Sequence, residues 1–212
     1  MKTLIAVPCF DMVQTQFMQS LMALQRDKNT SFTVVRNTLI HVARNVIAGN
    51  AIEAGFDRIM WFDSDMTFPP DTLFRLSNDM DKTGADLVTG LYFTRKPPIK
   101  PVIYKSLWWD NKEKLNVGAE NDYNYNPGLV EIAGAGFGCC LTSVDIFRQV
   151  REMFGSPFAP LQGLGEDLSF CWRAIMVGAR MYCDTDIKCG HVGTYEFSEK
   201  DYNKGDFIDA EG

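Results

Sequence analysis

An α/β fold with a mostly parallel central sheet and helices on both faces is what this sequence predicts, on three observations. Short apolar runs alternate with longer segments of helical periodicity, the order of strands and crossover helices. The run Ile59 to Phe62 ends abruptly in Asp63 and Asp65, so acids stand at the carboxyl end of a strand, where open α/β sheets place ligands. And 212 residues, 46% hydrophobic and 23% charged, suffice for one domain with a sizeable core.

Taken in order, Thr3 to Val7 is a short strand stopped by Pro8. Val13 to Leu24 carries Phe17, Met18, Leu21 and Leu24 at amphipathic-helix spacing. Phe32 to Val35 is a second strand. Asn37 to Ala54 is a long helix, with Leu39, Val42, Ala43, Val46, Ile47 and Ile52 on one side and Gly55 at its end. The 58–63 strand follows, stopped by Pro69-Pro70, then a helix from Pro70 to about Lys82 and an apolar run from Asp86 to Tyr92. From 96 to 125 the chain is rich in Pro, Lys, Asn, Asp, Trp and Tyr, with little periodicity, which predicts an irregular insert. Val130 to Leu141 is strand-like but broken by glycines. Val144 to Phe154 is a helix, Pro157 to Gly165 a loop, Glu166 to Val177 a helix and Arg180 to Cys183 a last short strand. The division expected is a single domain, 1–212, made of a first half (1–94), an insert (95–128), a second half (129–193) and a polar tail (194–212).

Bulk properties narrow the function. A net charge of −6 argues against a large nucleic-acid footprint, which needs a basic face. The first apolar run is too short for a signal peptide, and no window approaches a membrane span. Cys9, Cys139, Cys140, Cys171, Cys183 and Cys189 include no Cys-x-x-Cys pair, and the histidines are only His41 and His191, which disfavours zinc. Reduced, mostly buried thiols in a cytoplasmic protein are expected.

Two carboxylates one residue apart repel unless a cation sits between them, and hard oxygen ligands suit Mg²⁺ or Mn²⁺. An ion held by two carboxylates keeps positions open for phosphate oxygens, which points to nucleotide-diphosphate chemistry. Asp63 or Asp65 could equally cap the turn or the helix near Pro70. Glu166 and Asp167 open a helix after Gly165, as a capping pair favoured by the dipole or as a general base near the metal. His191, flanked by Gly190 and Gly193, is an inert histidine or a further ligand to the same ion. Arg44 either solvates its helix face or bonds a phosphate or an aspartate of the pair. Gly134, Gly136 and Gly138 lack the dinucleotide-binding layout and mark a bulge or a close approach of ligand to backbone. Trp108, Trp109, Tyr123 and Tyr125 form a satellite core or stacking platforms for a sugar or base.

These pieces, in this order, resemble the GT-A glycosyltransferases, and among them the family 2-like nucleotide-sugar transferases. The matching text is ARNVIAGNAIEAGFDRIMWFDSDMTFPPDTLFRL (43 to 76), AGAGFGCCLTSVDIF (133 to 147) and GEDLSFCWRAIMVGARMYCDTDIKCGHVG (165 to 193), with TLIAVPCFD (3 to 11) a weaker match. The ARN…DSD portion is also similar to the Anp1-type mannosyltransferases. The resemblance implies a GT-A, Rossmann-like fold whose first half binds a nucleotide sugar, with the insert on the acceptor side. It implies that Asp63, Ser64 and Asp65 form the D-x-D stretch that binds Mn²⁺ or Mg²⁺ and the donor, with His191 completing the metal site. Asp167 matches the base of inverting members, with Glu166 beside it, and Arg44 the arginine near the nucleotide. Pro8, Phe10 and Asp11 would flank the base. Gly134, Gly136 and Phe137 would line the acceptor side together with Trp108 and Trp109.

There are departures. The arginine–tryptophan motif of processive synthases is absent as such, and no transmembrane helices follow, so one transfer onto a soluble acceptor is expected. The expected activity is a metal-dependent, hexosyltransferase-like transfer from a UDP- or GDP-sugar to an acceptor hydroxyl. A nucleotidyltransferase is the alternative, disfavoured because PCFDMVQ replaces a glycine-rich basic loop after the first strand. A non-catalytic nucleotide-sugar-binding module is another. Acceptors open to this reading are glycans, proteins, small molecules and, less favoured by the acidic balance, modified bases in DNA, for which Lys96, Lys100, Lys105, Lys112 and Lys114 would serve. Donor, acceptor, stereochemistry and oligomeric state are not fixed by the sequence.

Overall fold

The computed structural model describes residues 1–110, 116–120, 125–193 and 196–204. In chain order its first elements are β1 (Thr3–Cys9), α1 (Thr15–Ala23), β2 (Thr30–Arg36), α2 (Ile40–Glu53), β3 (Arg58–Phe62), β4 (Met66–Thr67), α3 (Thr72–Thr83) and β5 (Leu87–Leu91). Then come β6 (Ile103–Tyr104), β7 (Ser106–Asp110), β8 (Asn116–Glu120), β9 (Leu129–Glu131), β10 (Gly134–Ala135) and β11 (Cys139–Ser143). The chain continues through α4 (Val144–Phe154), α5 (Glu166–Met176), β12 (Met181–Lys188), β13 (Gly190–Val192), β14 (Glu196–Phe197) and α6 (Glu199–Lys204).

The central sheet has seven strands in the order β2-β1-β3-β11-β5-β12-β9. The pairings make β2, β1, β3, β5 and β12 run one way, with β11 and β9 opposed. Its middle strands β3, β11 and β5 are buried almost throughout and mostly apolar because both faces are covered. On β3, Ile59 and Trp61 enter one core while Met60 and Phe62 enter the other, as the two-residue period of a strand requires. The first core holds α2, α4 and α5, and the second α1 and α3.

Local chemistry sets several helix ends. Ser143 caps α4 by accepting from the Ile146 amide at 3.3 Å. Gly84, at φ 65°, closes α3 in the left-handed region, its amide donating to the Met80 carbonyl. Ala43, Ala48 and Ala51 bury the face of α2 that meets the sheet.

The structure corrects several expected boundaries. Val130 to Leu141 is three strands, because β9 pairs with β12, β10 with β6, and β11 joins the sheet centre. The strand expected to end at Cys183 runs on to Lys188 as β12, β13 follows it, and the tail adds β14 and α6. The insert is not wholly irregular: β7 and β8 pair as an antiparallel hairpin. All six cysteines are buried and free. No helix among the described residues is long and apolar enough to cross a membrane.

Candidate active site

A cleft of about 890 Å³ opens at the carboxyl end of β3. Pro8, Phe10, Arg44, Asp63, Ser64, Asp65, Glu166, Asp167 and His191 line it, drawn from five separate parts of the chain. The fold explains the convergence. β3 ends at Phe62, and the Asp63 amide donates to the Gly138 carbonyl at 3.0 Å, fixing where the strand stops. A tight turn follows, in which the Met66 amide donates to the Asp63 carbonyl at 3.2 Å. β4 then pairs with β13, setting His191 opposite Met66, and the Val192 amide donates to the Asp65 carbonyl at 2.7 Å. His191 therefore reaches the acids through a two-residue strand that the sequence pattern did not disclose.

Arg44 lies beneath the acids and is 2% exposed, so it does not solvate its helix. Its Nη2 donates to Asp63 Oδ1 at 2.9 Å, and its Nε stands 3.6 Å from Glu166 Oε1. Its guanidinium covers the Phe137 ring at 5.0 Å and approaches Phe158 at 6.0 Å. One buried cation thus ties the end of β3 to the start of α5. Burial alone would lower its pKa, but Asp63, Glu166 and Asp167 outweigh that and raise it.

Burial raises the pKa of Asp63 against the opposing charge of Arg44. Burial also raises Asp167, to about 6, with the Glu166 charge adding to it and Arg44 opposing. Asp167 Oδ1 accepts the Leu168 amide at 2.7 Å, yet Gly165 at the helix N-cap position makes no side-chain cap bond. Asp65 differs. Burial works upward, but the neighbouring His191 ring and the Arg95 guanidinium bonded to it hold its carboxyl below the ordinary range.

Among the described residues no three His, Cys, Asp or Glu side chains form a ready-made metal site. Two of the three expected ligands nevertheless suit a hard cation. His191 Nδ1 lies 2.9 Å from the Phe93 carbonyl, so in the neutral ring Nδ1 donates and Nε2 keeps its lone pair. Nε2 faces Asp65 Oδ2 at 3.7 Å, beyond a hydrogen bond but within the span of two ligands on one ion. Asp65 Oδ1 is buried without a hydrogen-bond partner. Asp63, by contrast, gives Oδ1 to Arg44.

Other expected residues sit elsewhere. Asp11 is exposed and outside the cleft lining. Phe137 is 1% exposed and touches Trp61, Phe158 and Phe170, so it meets the cleft only through Arg44. A Cβ on Gly136 would stand 2.0 Å from the Tyr92 hydroxyl, and one on Gly134 3.2 Å from Leu107 and Leu168. The room left by these glycines is taken by the protein's own side chains rather than by a ligand. Trp108 is half-exposed on β7, outside the cleft lining, while Tyr125 packs at the core and reaches Glu199. The side chain of Trp109, together with Tyr123, Lys112 and Lys114, lies outside the described residues.

Sequence reasoning missed Tyr92 and Arg95. Tyr92 lines the cleft, accepts the Gly138 amide at 3.2 Å and packs edge-on against His191. Arg95 donates to Asp65 Oδ2 at 2.7 Å. The interleaved glycines were the one signal for Tyr92, since they imply a large neighbour pressed on the backbone.

No protein-family model and no curated protein sequence matches the chain. Solved structures do. A197 from STIV aligns with a TM-score of 0.65 at 17% identity, over 91% of this chain and 86% of that one. GalNAc-T7, solved with UDP, GalNAc and Mn²⁺, aligns with a TM-score of 0.63 at 11% identity, over 96% of this chain. Residues 1–349 of S. aureus TarS in complex with UDP-GlcNAc align with a TM-score of 0.54 at 13% identity, over 88% of this chain. The chain spans only 47% of the GalNAc-T7 chain and 56% of the TarS chain. At these identities the likeness shows the fold: the protein has the GT-A glycosyltransferase fold.

Proposed function

We propose that this protein moves a sugar from a nucleotide-diphosphate sugar to an acceptor hydroxyl, within the cleft where β3 ends and α5 begins. One observation carries the reading: acids from β3 and α5 and a histidine from β13 meet in one cleft at the strand ends of a GT-A fold. The solved structures of GalNAc-T7 with UDP and Mn²⁺ and of TarS with UDP-GlcNAc support a donor of this class.

Asp65 and His191, with Asp63 alongside, would hold Mn²⁺ or Mg²⁺, an ion that supplies positive charge to a departing diphosphate. Pro8, Phe10 and Ser64 form the wall beside it, suited to the nucleoside. Arg44 holds Asp63 and Glu166 in place from below and touches no substrate in this scheme. Asp167 takes the proton from the acceptor hydroxyl as the new bond forms. A carboxylate at about 6 is ionised at neutral pH yet more basic than an ordinary aspartate, which suits a general base. With Asp167 in that role, transfer is a single displacement and inverts the anomeric centre.

The test is direct. Purified protein is incubated with UDP- and GDP-sugars and Mn²⁺, and release of the nucleoside diphosphate is measured. Release from one donor class, lost in Asp65→Ala, is expected, and NMR of a transfer product should show inversion. A protein that neither binds nor cleaves any sugar nucleotide is not this enzyme, and a retained centre removes Asp167 from its role.

A further inference from the structure

The cleft is lined by two walls of opposite charge. Asp63, Asp65, Glu166 and Asp167 come from the end of β3 and the start of α5, whereas Arg95, Lys96 and Lys100 all come from the segment joining β5 to β6. Arg95 reaches across between them. Its Nη1 donates to Asp65 Oδ2 at 2.7 Å and to the Val192 carbonyl at 3.3 Å. The Arg95 side chain is 45% exposed, so these polar contacts, more than packing, hold it there. His191 Nε2 stands 3.7 Å from the same Asp65 oxygen, and the other Asp65 oxygen is buried without a partner. The guanidinium thus occupies the side of Asp65 where a divalent ion would bind.

We propose that Arg95 is an exchangeable counter-ion, paired with Asp65 before donor binding and passed to the donor's diphosphate when a divalent ion takes Asp65. Lys96 and Lys100 complete the anion-binding wall. This rests on the reading of the cleft as a nucleotide-diphosphate-sugar site. The physical reason is competition. Two cations on one carboxylate oxygen repel each other, so ion binding weakens the Arg95 contact. A diphosphate then offers the guanidinium fork a bidentate partner of higher charge than a carboxylate. Lys96 and Lys100 act as point charges, which tolerate the range of positions a flexible diphosphate takes.

A residue of this kind has a two-signed signature that a structural residue lacks. The experiment is titration calorimetry on wild type, Arg95→Gln and Arg95→Lys, using Mn²⁺ alone and then inorganic pyrophosphate at saturating Mn²⁺. For Arg95→Gln, Mn²⁺ alone should bind roughly two- to five-fold tighter, because a partly exposed ion pair competing for the site is lost. Pyrophosphate should bind at least about tenfold weaker, because a charge-assisted contact is removed. Arg95→Lys should retain weak Mn²⁺ binding and recover part of the pyrophosphate affinity. Unchanged or weaker Mn²⁺ binding in Arg95→Gln, or unchanged pyrophosphate binding, overturns the proposal, as does a fall in Tm with both affinities reduced. UDP and GDP with Mn²⁺ separate the two claims. If neither nucleotide binds wild type, the donor-site reading itself fails; if one binds but the opposed shifts are missing, the counter-ion role alone fails.

Discussion

At the residue scale the site depends on how one buried arginine is shared. Arg44 is bonded to Asp63, near Glu166, and laid over Phe137, with Nε and Nη1 left without hydrogen-bond partners. Removing one member of a buried charge network leaves the others uncompensated, which costs about 3–5 kcal/mol. Arg44→Gln should therefore lower stability by that order in urea unfolding; a loss under about 1 kcal/mol would mean that water already compensates the acids. Asp167 behaves oppositely. Its pKa is higher folded, about 6, than the ordinary 3.8, so the folded state holds the extra proton between those values. Stability contributed by that proton is present at low pH and lost as pH rises through about 6. Asp167→Asn should thus be neutral or stabilising at pH 7 and bring no gain at pH 4, the more so because the asparagine Oδ1 can still accept the Leu168 amide. Transfer should fall by roughly 10²- to 10⁴-fold with donor affinity unchanged. In wild type the rate should drop as pH falls below about 6, and a flat profile there, or a silent variant, would remove Asp167 as base. The acids themselves were legible because D-x-D and Glu-Asp stand at element boundaries. The burial of Arg44 was not, since nothing in a helical pattern says that two phenylalanines from distant segments will close over it.

At the element scale, the strands and helices were legible wherever an apolar run or a helical period was long. α4 matches its expected span of Val144 to Phe154, whose ends carry the Ser143 cap and Gly155. What escaped were two-residue strands. β4 and β10 are too short to show a period and exist only because β13 and β6 lie beside them. Glycine spacing in β10 and beyond was visible, but its cause was tertiary: Tyr92 folds back from β5 to press on Gly136 and Gly138. Gly136→Ala should therefore cost about 1–3 kcal/mol through overpacking against the Tyr92 hydroxyl. Tyr92→Phe removes that oxygen, so the double variant should be less unstable than the sum of the two single changes. Thermal or urea melts of the four proteins close the cycle, and strict additivity would show that Tyr92 is not the obstacle.

For the whole molecule, the question is whether the acids act as a site or only as a local electrostatic cost. The chain carries a net charge of −6, and its cleft gathers four carboxylates, three of them near the buried Arg44 and the fourth, Asp65, paired with Arg95. An ion and a nucleotide that bind only the folded cleft shift the folding equilibrium by mass action, so ligand binding should be visible as global stabilisation. A nucleotide at 100 times its Kd contributes roughly 2.7 kcal/mol. For a chain of this size each kcal/mol raises Tm by about 2–4 °C, so a shift on the order of 5–10 °C is expected. The shift should require UDP or GDP together with Mn²⁺, because Asp65 and His191 present lone pairs, not donors, toward the diphosphate. Excess EDTA should reduce it to the small remainder that Lys96 and Lys100 can supply. Asp65→Ala should melt near the wild-type temperature without ligand but lose the Mn²⁺-dependent part of the shift. A full shift in EDTA, or in Asp65→Ala with Mn²⁺, would mean that the basic wall alone binds the diphosphate. The fold and the donor class would then stand, with Asp65 and His191 removed from metal binding.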